Sequence, residues 1–200
     1  MKLNRYAVAL FLAFAPMAAQ QQVAPAAQSP DLAKNAPAVV FILRHGEKPM
    51  DKKSPDLTEV GFRRAAALPT LFLPQAGSSK LPRLPRPNAV FASAHSKNSN
   101  RPVETITPLA KALNLPLNQD FDEREVVPLA DQVLGGKYAG KVVIICWHHG
   151  EIPHMAKAFG VTDAPKQWDD TVFDQIWMIE WIDGKPQFSV LPEHLLPGDK

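Results

Sequence analysis

The chain has 200 residues, of which 46% are hydrophobic and 21% are charged. This composition suits one globular domain and excludes a fibre, a disordered chain and a multi-span membrane protein. The formal net charge is +2, so the overall charge gives no reason to expect nucleic acid or an anionic membrane as a partner.

The first twenty residues, "MKLNRYAVALFLAFAPMAAQ", have the layout of a secretory signal peptide. Lys2 and Arg5 precede an apolar run over 6–15, and small residues follow around Ala18. Because this run is too short to cross a bilayer comfortably, we assign 1–19 to a cleaved signal and expect a periplasmic or secreted protein. A permanent N-terminal membrane anchor is the alternative, since the small residues after Pro16 do not form a clear cleavage motif.

Residues 20–37 are rich in Ala, Pro and Gln, which predicts a flexible lead-in before one domain over 38–200. Loss of Lys2 and Arg5 with the signal would bring the net charge from +2 to zero, and we expect no stable membrane association afterwards. Cys146 is the only cysteine, so no internal disulfide is possible even in an oxidising compartment.

The domain opens with "AVVFILR" (38–44), a continuous apolar and β-branched run typical of a strand buried on both faces. "LTEVGFRRAAALPTLFL" (57–73) predicts a helix with Thr58 as its N-cap. The proline-rich and basic stretch over 74–87 predicts a loop.

"NAVFAS" (88–93) predicts a second strand. "NRPVETITPLAKALN" (100–114) predicts a second helix with Asn100 at its N-cap, and Pro108 should kink or restart that helix. Glu104 and Thr105 read as ordinary residues of this helix.

A short acidic stretch leads into "FDEREVVPLADQVLGG" (121–136), which predicts a loop and then a helix stopped by its two glycines. "KVVIICW" (141–147) predicts a third buried strand, and "EIPHMAKAFG" (151–160) predicts a helix. The stretch over 173–192 predicts a hairpin that turns at Asp183 and Gly184.

Strands that alternate with helices predict an α/β fold, a three-layer sandwich with a mostly parallel central sheet flanked by helices. The three buried strands end in polar clusters, "RHGE", "SAHSKNSNRP" and "WHHGEIPH". Parallel strands would bring these clusters to one edge of the sheet. The residues that would meet in one pocket there are Arg44, His45, Arg101, His148 and His149. Guanidinium groups hold phosphoryl oxygens through paired hydrogen bonds, so the pocket suits phosphate.

Four motifs in order resemble the histidine phosphatase superfamily, also called phosphoglycerate mutase-like. They are "LRHGE", "LTEVGFRRA", the Ser, Arg and Glu-Thr element of "SAHSKNSNRPVET", and a late strand followed by "HHG". The resemblance implies that His45 is a nucleophile that becomes phosphorylated, with no metal and no cofactor. It also implies that Arg44, Arg101 and one late histidine hold the phosphoryl oxygens.

The choice between the two late histidines rests on the glycine that follows. The resemblance implies His149 as the pocket residue, because the family places a glycine or another small residue after that histidine, as Gly150 is here, and we expect His148 to flank the pocket and contact substrate. The eight-residue spacing from Ser93 to Arg101 departs from the family pattern. It predicts a polar insertion whose Lys97 and His95 could bind substrate.

The general acid is a second departure from the family pattern, since the segment after the second helix offers several carboxylates. We rank Glu123 first and Asp122 second, and Glu151 is a further option. Asp120 and Glu125 stay open. The acid must protonate the leaving oxygen and later activate water.

A metal site is a competing interpretation of "HHGEIPH". The zincin pattern needs a glutamate directly after its first histidine and a second histidine four positions on. From His149 those positions hold Gly150 and Pro153, so the pattern fails.

The sequence therefore predicts an exported phosphatase that acts on a small phosphorylated substrate, a monoester or an anhydride. Two rivals stay open. One is a phosphate-ester binding protein with a degenerate acid and little turnover, and the other is a phosphomutase.

Overall fold

The computed structural model describes residues 34–50, 54–74 and 83–199. The predicted signal (1–19) and most of the predicted lead-in (20–37) lie outside the described residues, so cleavage and export stay predictions. Among the residues that are described, no helix has the length and apolarity needed to cross a membrane.

A single six-stranded sheet forms the centre of the domain, in the order β3-β2-β4-β1-β5-β6. The strands are β1 (Val39–Arg44), β2 (Ala89–Ser93), β3 (Leu117–Phe121), β4 (Val142–Trp147), β5 (Gln175–Ile182) and β6 (Lys185–Pro192). The pairs β3–β2, β2–β4 and β4–β1 are parallel, whereas β5 runs antiparallel to β1 and to β6. The mostly parallel sheet that the sequence predicts is confirmed.

Helices cover both faces of this sheet. They are α1 (Glu59–Ala67), α2 (Arg101–Leu113), α3 (Val126–Leu134) and α4 (Ile152–Ala158), with a 3₁₀ turn over Leu68–Leu71 after α1. Alternate residues of β1 feed two separate cores: Val40 and Ile42 pack with α3 and α4, whereas Phe41 and Leu43 pack with the 3₁₀ turn and α2. Burial on both faces explains the continuous apolar runs of the central strands.

The three apolar runs form β1, β2 and β4, and the predicted hairpin forms β5 and β6. Asp183 and Gly184 occupy the turn with φ of 51° and 75°. Two adjacent positive φ values match the turn type that suits a two-residue hairpin. This part of the prediction is confirmed.

The predicted helix boundaries need two corrections. Helix α1 ends at Ala67, and Pro69 follows within the 3₁₀ turn. Of the two outcomes predicted at Pro108, the restart is wrong, because helix α2 runs through the proline as one element, and the kink stays a prediction. A proline removes one backbone hydrogen bond there, and the buried Ile106 and Leu109 on either side anchor the helix to the sheet.

Strand β3 is absent from the sequence prediction. Its sequence "LNQDF" is polar, and the strand lies at the edge of the sheet with no fully buried residue. An edge strand with little burial carries no continuous apolar run, so the pattern that predicts the central strands fails here.

Candidate active site

His45 directly follows β1 at the carboxyl edge of the sheet, and only 2% of it is exposed. Its Nδ1 lies 2.7 Å from the carbonyl oxygen of Gly46. Because a carbonyl oxygen only accepts hydrogen bonds, Nδ1 must carry the ring proton. The neutral ring therefore keeps its lone pair on Nε2, which is the atom that a nucleophilic imidazole needs.

The loop after His45 is held by the second helix. The Gly46 amide donates to Thr105 Oγ1 at 2.9 Å, and the same hydroxyl donates to the carbonyl of Arg101 at 2.7 Å. Thr105 is 1% exposed, so this bridge between loop and helix is sheltered from water. No local sequence pattern predicts this role for Thr105, because the bond joins positions 59 residues apart.

Two glycines allow the loop and α1 to cross closely. A Cβ on Gly61 would lie 2.7 Å from the carbonyl oxygen of Glu47, and a Cβ on Gly46 would lie 3.1 Å from Gly61 Cα. Either side chain would force the backbones apart. The glycines of "RHGE" and "LTEVG" are therefore explained by contact between these two segments.

Arg44 is 1% exposed, and its Nη1 donates to the carbonyls of Asp170 at 2.7 Å and Val172 at 3.0 Å. Its guanidinium carbon lies 3.8 Å from the centre of the Phe173 ring. Nε and Nη2 are buried and have no partner among the described residues. These two nitrogens share one edge of the guanidinium, which is the edge that can hold two oxygens of one phosphoryl group.

Arg101 begins α2 and is partly exposed. Its Nη1 donates to the carbonyls of Ser54 and Pro55 at 3.2 and 3.1 Å, and its Nη2 donates to Asn98 at 3.2 Å. Its buried Nε has no partner within the described part of the chain. The loop carbonyls thus fix the outer nitrogens, and Nε is the donor available to a ligand.

His148, rather than His149, is the late histidine that contacts His45. The two rings meet edge to face with centroids 5.3 Å apart. The parallel register pairs Arg44 with Trp147, so the next residues, His45 and His148, leave the sheet side by side. His149 lies one residue further on and is half-buried.

The structure thus places His148, which we expected to flank the pocket and contact substrate, directly beside His45, and it places His149 at the wall of the cleft. Aligning the apolar runs of β1 and β4 residue by residue would have matched His45 with His148, because Val39 pairs with Val142. The glycine after His149 was a weaker guide than this register.

The electrostatics of the cluster keep both rings neutral. Burial lowers the pKa of His45 well below 6.5, and the guanidinium charges of Arg44 and Arg101 lower it further. Burial, Arg101 and other cationic neighbours lower the pKa of His148 to about 4. Two neutral imidazoles among fixed cations form a pocket that a phosphoryl dianion would complete.

Glu123 is the carboxylate that faces this cluster. Its Oε1 lies 3.9 Å from His148 Nδ1. Burial and the nearby Glu151 raise its pKa above 4.5. Trp147 holds the segment in place, because its indole Nε1 donates to the Glu123 carbonyl at 2.7 Å.

The other candidate acids have different surroundings. Glu125 accepts a hydrogen bond from the Asp122 amide at 2.8 Å, and Asp122 is exposed. Asp120 pairs with Asn118 on the edge strand at 3.0 Å. Glu151 lies 3.1 Å from His154 Nδ1 and acts electrostatically on Glu123.

The polar insertion lies on the rim. His95 Nδ1 is 2.9 Å from Asn100 Oδ1, and Lys97 is exposed in a turn closed between Ser96 and Ser99. The substrate-binding roles of Lys97 and His95 stay predictions. Lys48, by contrast, is close enough to His148 and His149 to lower the pKa of both.

A cleft of about 620 Å³ opens next to the cluster. His149 and Gly150 form one side, and residues 166–170 form the other. The same segment supplies two of the carbonyls around Arg44. The cleft therefore borders His149 and the segment whose carbonyls hold Arg44.

Solved structures share this architecture. The chain matches a candidate alpha-ribazole-5′-P phosphatase from Escherichia coli with a TM-score of 0.53 and 15% identity, covering 79% of this chain and 97% of that one. The chain has the histidine phosphatase fold. A mycobacterial glucosyl-3-phosphoglycerate phosphatase matches with a TM-score of 0.49 and 13% identity over 77% of this chain and 95% of that one. No family model matches the chain, and no curated protein matches it.

The fold therefore agrees with the resemblance that the four sequence motifs suggest. Within the described residues, no group of three or more His, Cys, Asp or Glu side chains is arranged to hold a metal ion. Cys146 is fully buried, and burial raises the pKa of its thiol. It forms part of the core beneath the site.

Proposed function

We propose that the chain is an exported phosphatase, independent of metal ions, that hydrolyses small phosphate monoesters or anhydrides through a phosphohistidine at His45. The observation that carries this proposal is the buried edge of Arg44, whose Nε and Nη2 are unpaired among the described residues next to a neutral His45. The fold shared with a candidate phosphatase supports it. Export rests on the N-terminal sequence alone.

In the first step, the lone pair on His45 Nε2 attacks phosphorus, and the bond from phosphorus to the ester oxygen breaks. The proton of the Glu123 carboxyl passes to the departing oxygen. Arg44, Arg101 and His148 hold the phosphoryl oxygens while charge develops on them.

In the second step, water attacks the phosphorus of phosphohistidine. The Glu123 carboxylate takes a proton from that water, the P–N bond breaks, and the electron pair returns to Nε2. The products are inorganic phosphate, a neutral His45 and a protonated Glu123, so the enzyme returns to its starting state.

Replacement of His45 tests this function. We expect His45→Ala to abolish phosphate release from an aryl phosphate and to abolish the acid-labile label that rapid quenching traps on wild type. His154→Ala is the matched control, because its ring is exposed and pairs with Glu151 on the same helix end, away from His45 in the chain. Full activity in His45→Ala would overturn the proposal.

The rival functions have their own signatures. A protein that binds phosphate but never releases it from any monoester would be a binding protein. A phosphorylated product in place of free phosphate would indicate a mutase. The raised pKa of Glu123 favours turnover, because it supplies the acid that a degenerate site would lack.

A further inference from the structure

The buried guanidinium of Arg64 packs against the loop that follows His45. Arg64 on α1 is 5% exposed and contacts three carboxylates. Its Nη2 lies 2.8 Å from Glu47 Oε1 and 2.9 Å from Asp199 Oδ1. Its Nη1 lies 2.9 Å from Asp199 Oδ2 and 3.1 Å from Glu193 Oε2, and its Nε lies 3.1 Å from Glu47 Oε1. All three nitrogens are therefore engaged, which fixes the plane of the guanidinium.

Two of these carboxylates come from the segment that follows β6, residues 193–199. Asp199 Oδ2 also accepts the amides of Leu195 at 2.8 Å and Leu196 at 2.9 Å, which closes this segment into a turn. The amide of Glu193 donates to the carbonyl of Asp174 at 2.8 Å. The segment is thus attached both to α1 and to the start of β5.

The third carboxylate belongs to Glu47, which lies in the loop that follows His45. Glu47 shares a peptide unit with Gly46, and the Gly46 carbonyl is the group that fixes the proton on His45 Nδ1. The carbonyl of Glu47 accepts the amide of Thr58 at 2.9 Å and its hydroxyl at 3.2 Å. Anchoring both the side chain and the carbonyl of Glu47 leaves this peptide unit little freedom to rotate.

We propose that Arg64, held by Glu193 and Asp199, is a positioning residue for His45 that acts through Glu47. The proposal rests on the function proposed above, because it assigns Arg64 to the service of the nucleophile. Arg64 touches neither substrate nor the reacting atoms. It keeps the Gly46–Glu47 peptide unit in the orientation that leaves the lone pair on Nε2.

The charges in the cluster are compatible with this role. Burial raises the pKa of Glu193 to about 8, so its carboxyl is neutral near pH 7. The hydrogen bonds from Arg64 lower the pKa of Asp199 to about 2. The two carboxylates of residues 193–199 therefore bring one negative charge, not two, to the buried guanidinium.

The experiment compares Arg64→Gln with Arg63→Gln in the full chain. Arg63 is on the same helix, but its side chain is exposed, and its ion pair with Glu59, at 3.9 Å, lies on the surface of that helix. We expect Arg64→Gln to lower kcat on an aryl phosphate by about 10- to 100-fold with little change in KM, since a misoriented nucleophile loses rate and not binding. Arg63→Gln should keep the wild-type values. A wild-type kcat in folded Arg64→Gln would overturn the proposal.

A second readout is independent of turnover. In ¹⁵N spectra of wild type, the His45 ring should be the Nδ1–H tautomer, and in Arg64→Gln we expect a mixture of both tautomers. An unchanged tautomer would contradict the proposal. If wild type proved inactive, the proposed function would fail, whereas this measurement would still decide whether Arg64 orients the ring.

Glu47→Gln covers the case in which Arg64→Gln does not fold. It removes the charge that reaches the loop but leaves Arg64 paired with Glu193 and Asp199. We expect the same loss of kcat at unchanged KM and the same mixture of tautomers. Wild-type kinetics and a wild-type tautomer in Glu47→Gln would overturn the proposal whatever the fate of Arg64→Gln.

Discussion

The imidazole rings of His45 and His148 meet edge to face, with centroids 5.3 Å apart, where β1 and β4 leave the sheet in parallel register. Burial and nearby cations keep the pKa of each ring below its usual 6.5. One ring can therefore act as a nucleophile while its neighbour donates a hydrogen bond. Both roles follow from one feature of the fold, the equal length of the two strands up to these histidines.

The first prediction separates the two late histidines. We expect His148→Ala to lower kcat/KM for an aryl phosphate by about 100-fold, because it removes a donor beside the reacting phosphorus. His149→Ala should lower kcat/KM by less than about tenfold and mainly through KM, since His149 lines the cleft and does not contact the His45 ring. Equal losses in the two variants would contradict this assignment.

The second prediction concerns Glu123 and pH. A general acid must be protonated in the first step, so the wild-type rate should fall as pH rises through the raised pKa of Glu123. Glu123→Gln should lose that limb of the profile. It should slow alkyl phosphates more than nitrophenyl phosphate, whose leaving group needs no proton.

Glu125→Gln is the control for this experiment. Its side chain caps the same loop by accepting the Asp122 amide, and an amide oxygen can still accept that bond. We expect a wild-type pH profile. A profile that changes in Glu125→Gln but not in Glu123→Gln would move the acid to Glu125.

The third prediction concerns Thr105, which bridges the Gly46 amide and the carbonyl of Arg101. Thr105→Val leaves a buried amide without its acceptor, and we expect a loss of about 1–3 kcal/mol in the free energy of unfolding together with reduced kcat. Thr107→Val is matched, because Thr107 Oγ1 donates to the carbonyl of Val103 at 2.6 Å in the same way. Urea unfolding measures the free energy of unfolding of each variant, and the difference between the two variants should report the contact from Thr105 to the Gly46 amide. Equal free energies of unfolding would argue against a stabilising role for this contact.

The fourth prediction concerns the pH dependence of stability at Glu193. The folded protein holds this proton up to a pKa of about 8, whereas an unfolded glutamate releases it near 4.5. The contribution of Glu193 to the free energy of unfolding is therefore fully present below pH 4.5 and declines as the pH rises towards about 8. Glu193→Gln is neutral in both states and should not show this decline.

Urea unfolding at several pH values measures the effect. Between about pH 5 and pH 8 we expect the wild type to lose on the order of 2 kcal/mol or more relative to Glu193→Gln. Histidine titrations affect both proteins alike and cancel in the comparison. Parallel curves for the two proteins would mean that Glu193 is ionised in the native state.

The sequence predicted those parts of the fold that depend on local pattern. Continuous apolar runs identified β1, β2 and β4 because these strands are buried on both faces, and Asp183 with Gly184 identified the hairpin turn. Strand β3 was missed because its polar sequence lies at an edge, where burial imposes no pattern.

The candidate site shows the same difference between local pattern and long-range contact. The position of Arg44 and His45 at a strand end was predictable because the strand that carries them is recognisable, and their catalytic roles stay predictions. The contacts of Thr105 and Arg64 were not predictable, because their partners lie 59 and up to 135 residues away in the chain. Nothing in a local pattern reports such pairings. The register between β1 and β4 identifies His148 as the neighbour of His45, and the glycine after His149 carries no information about that register.

The bonds between Arg64 and Asp199 join positions 135 residues apart. Closing so large a loop costs chain entropy, and contacts of this separation slow folding. We therefore expect the loop after His45 to reach its final form only after strand β6 and the turn that follows it are in place. For a chain exported in the unfolded state, the candidate active site would not exist on the side of synthesis. Hydrogen exchange at the Gly46 amide during refolding would report this order, with protection there gained no earlier than in the β5–β6 hairpin.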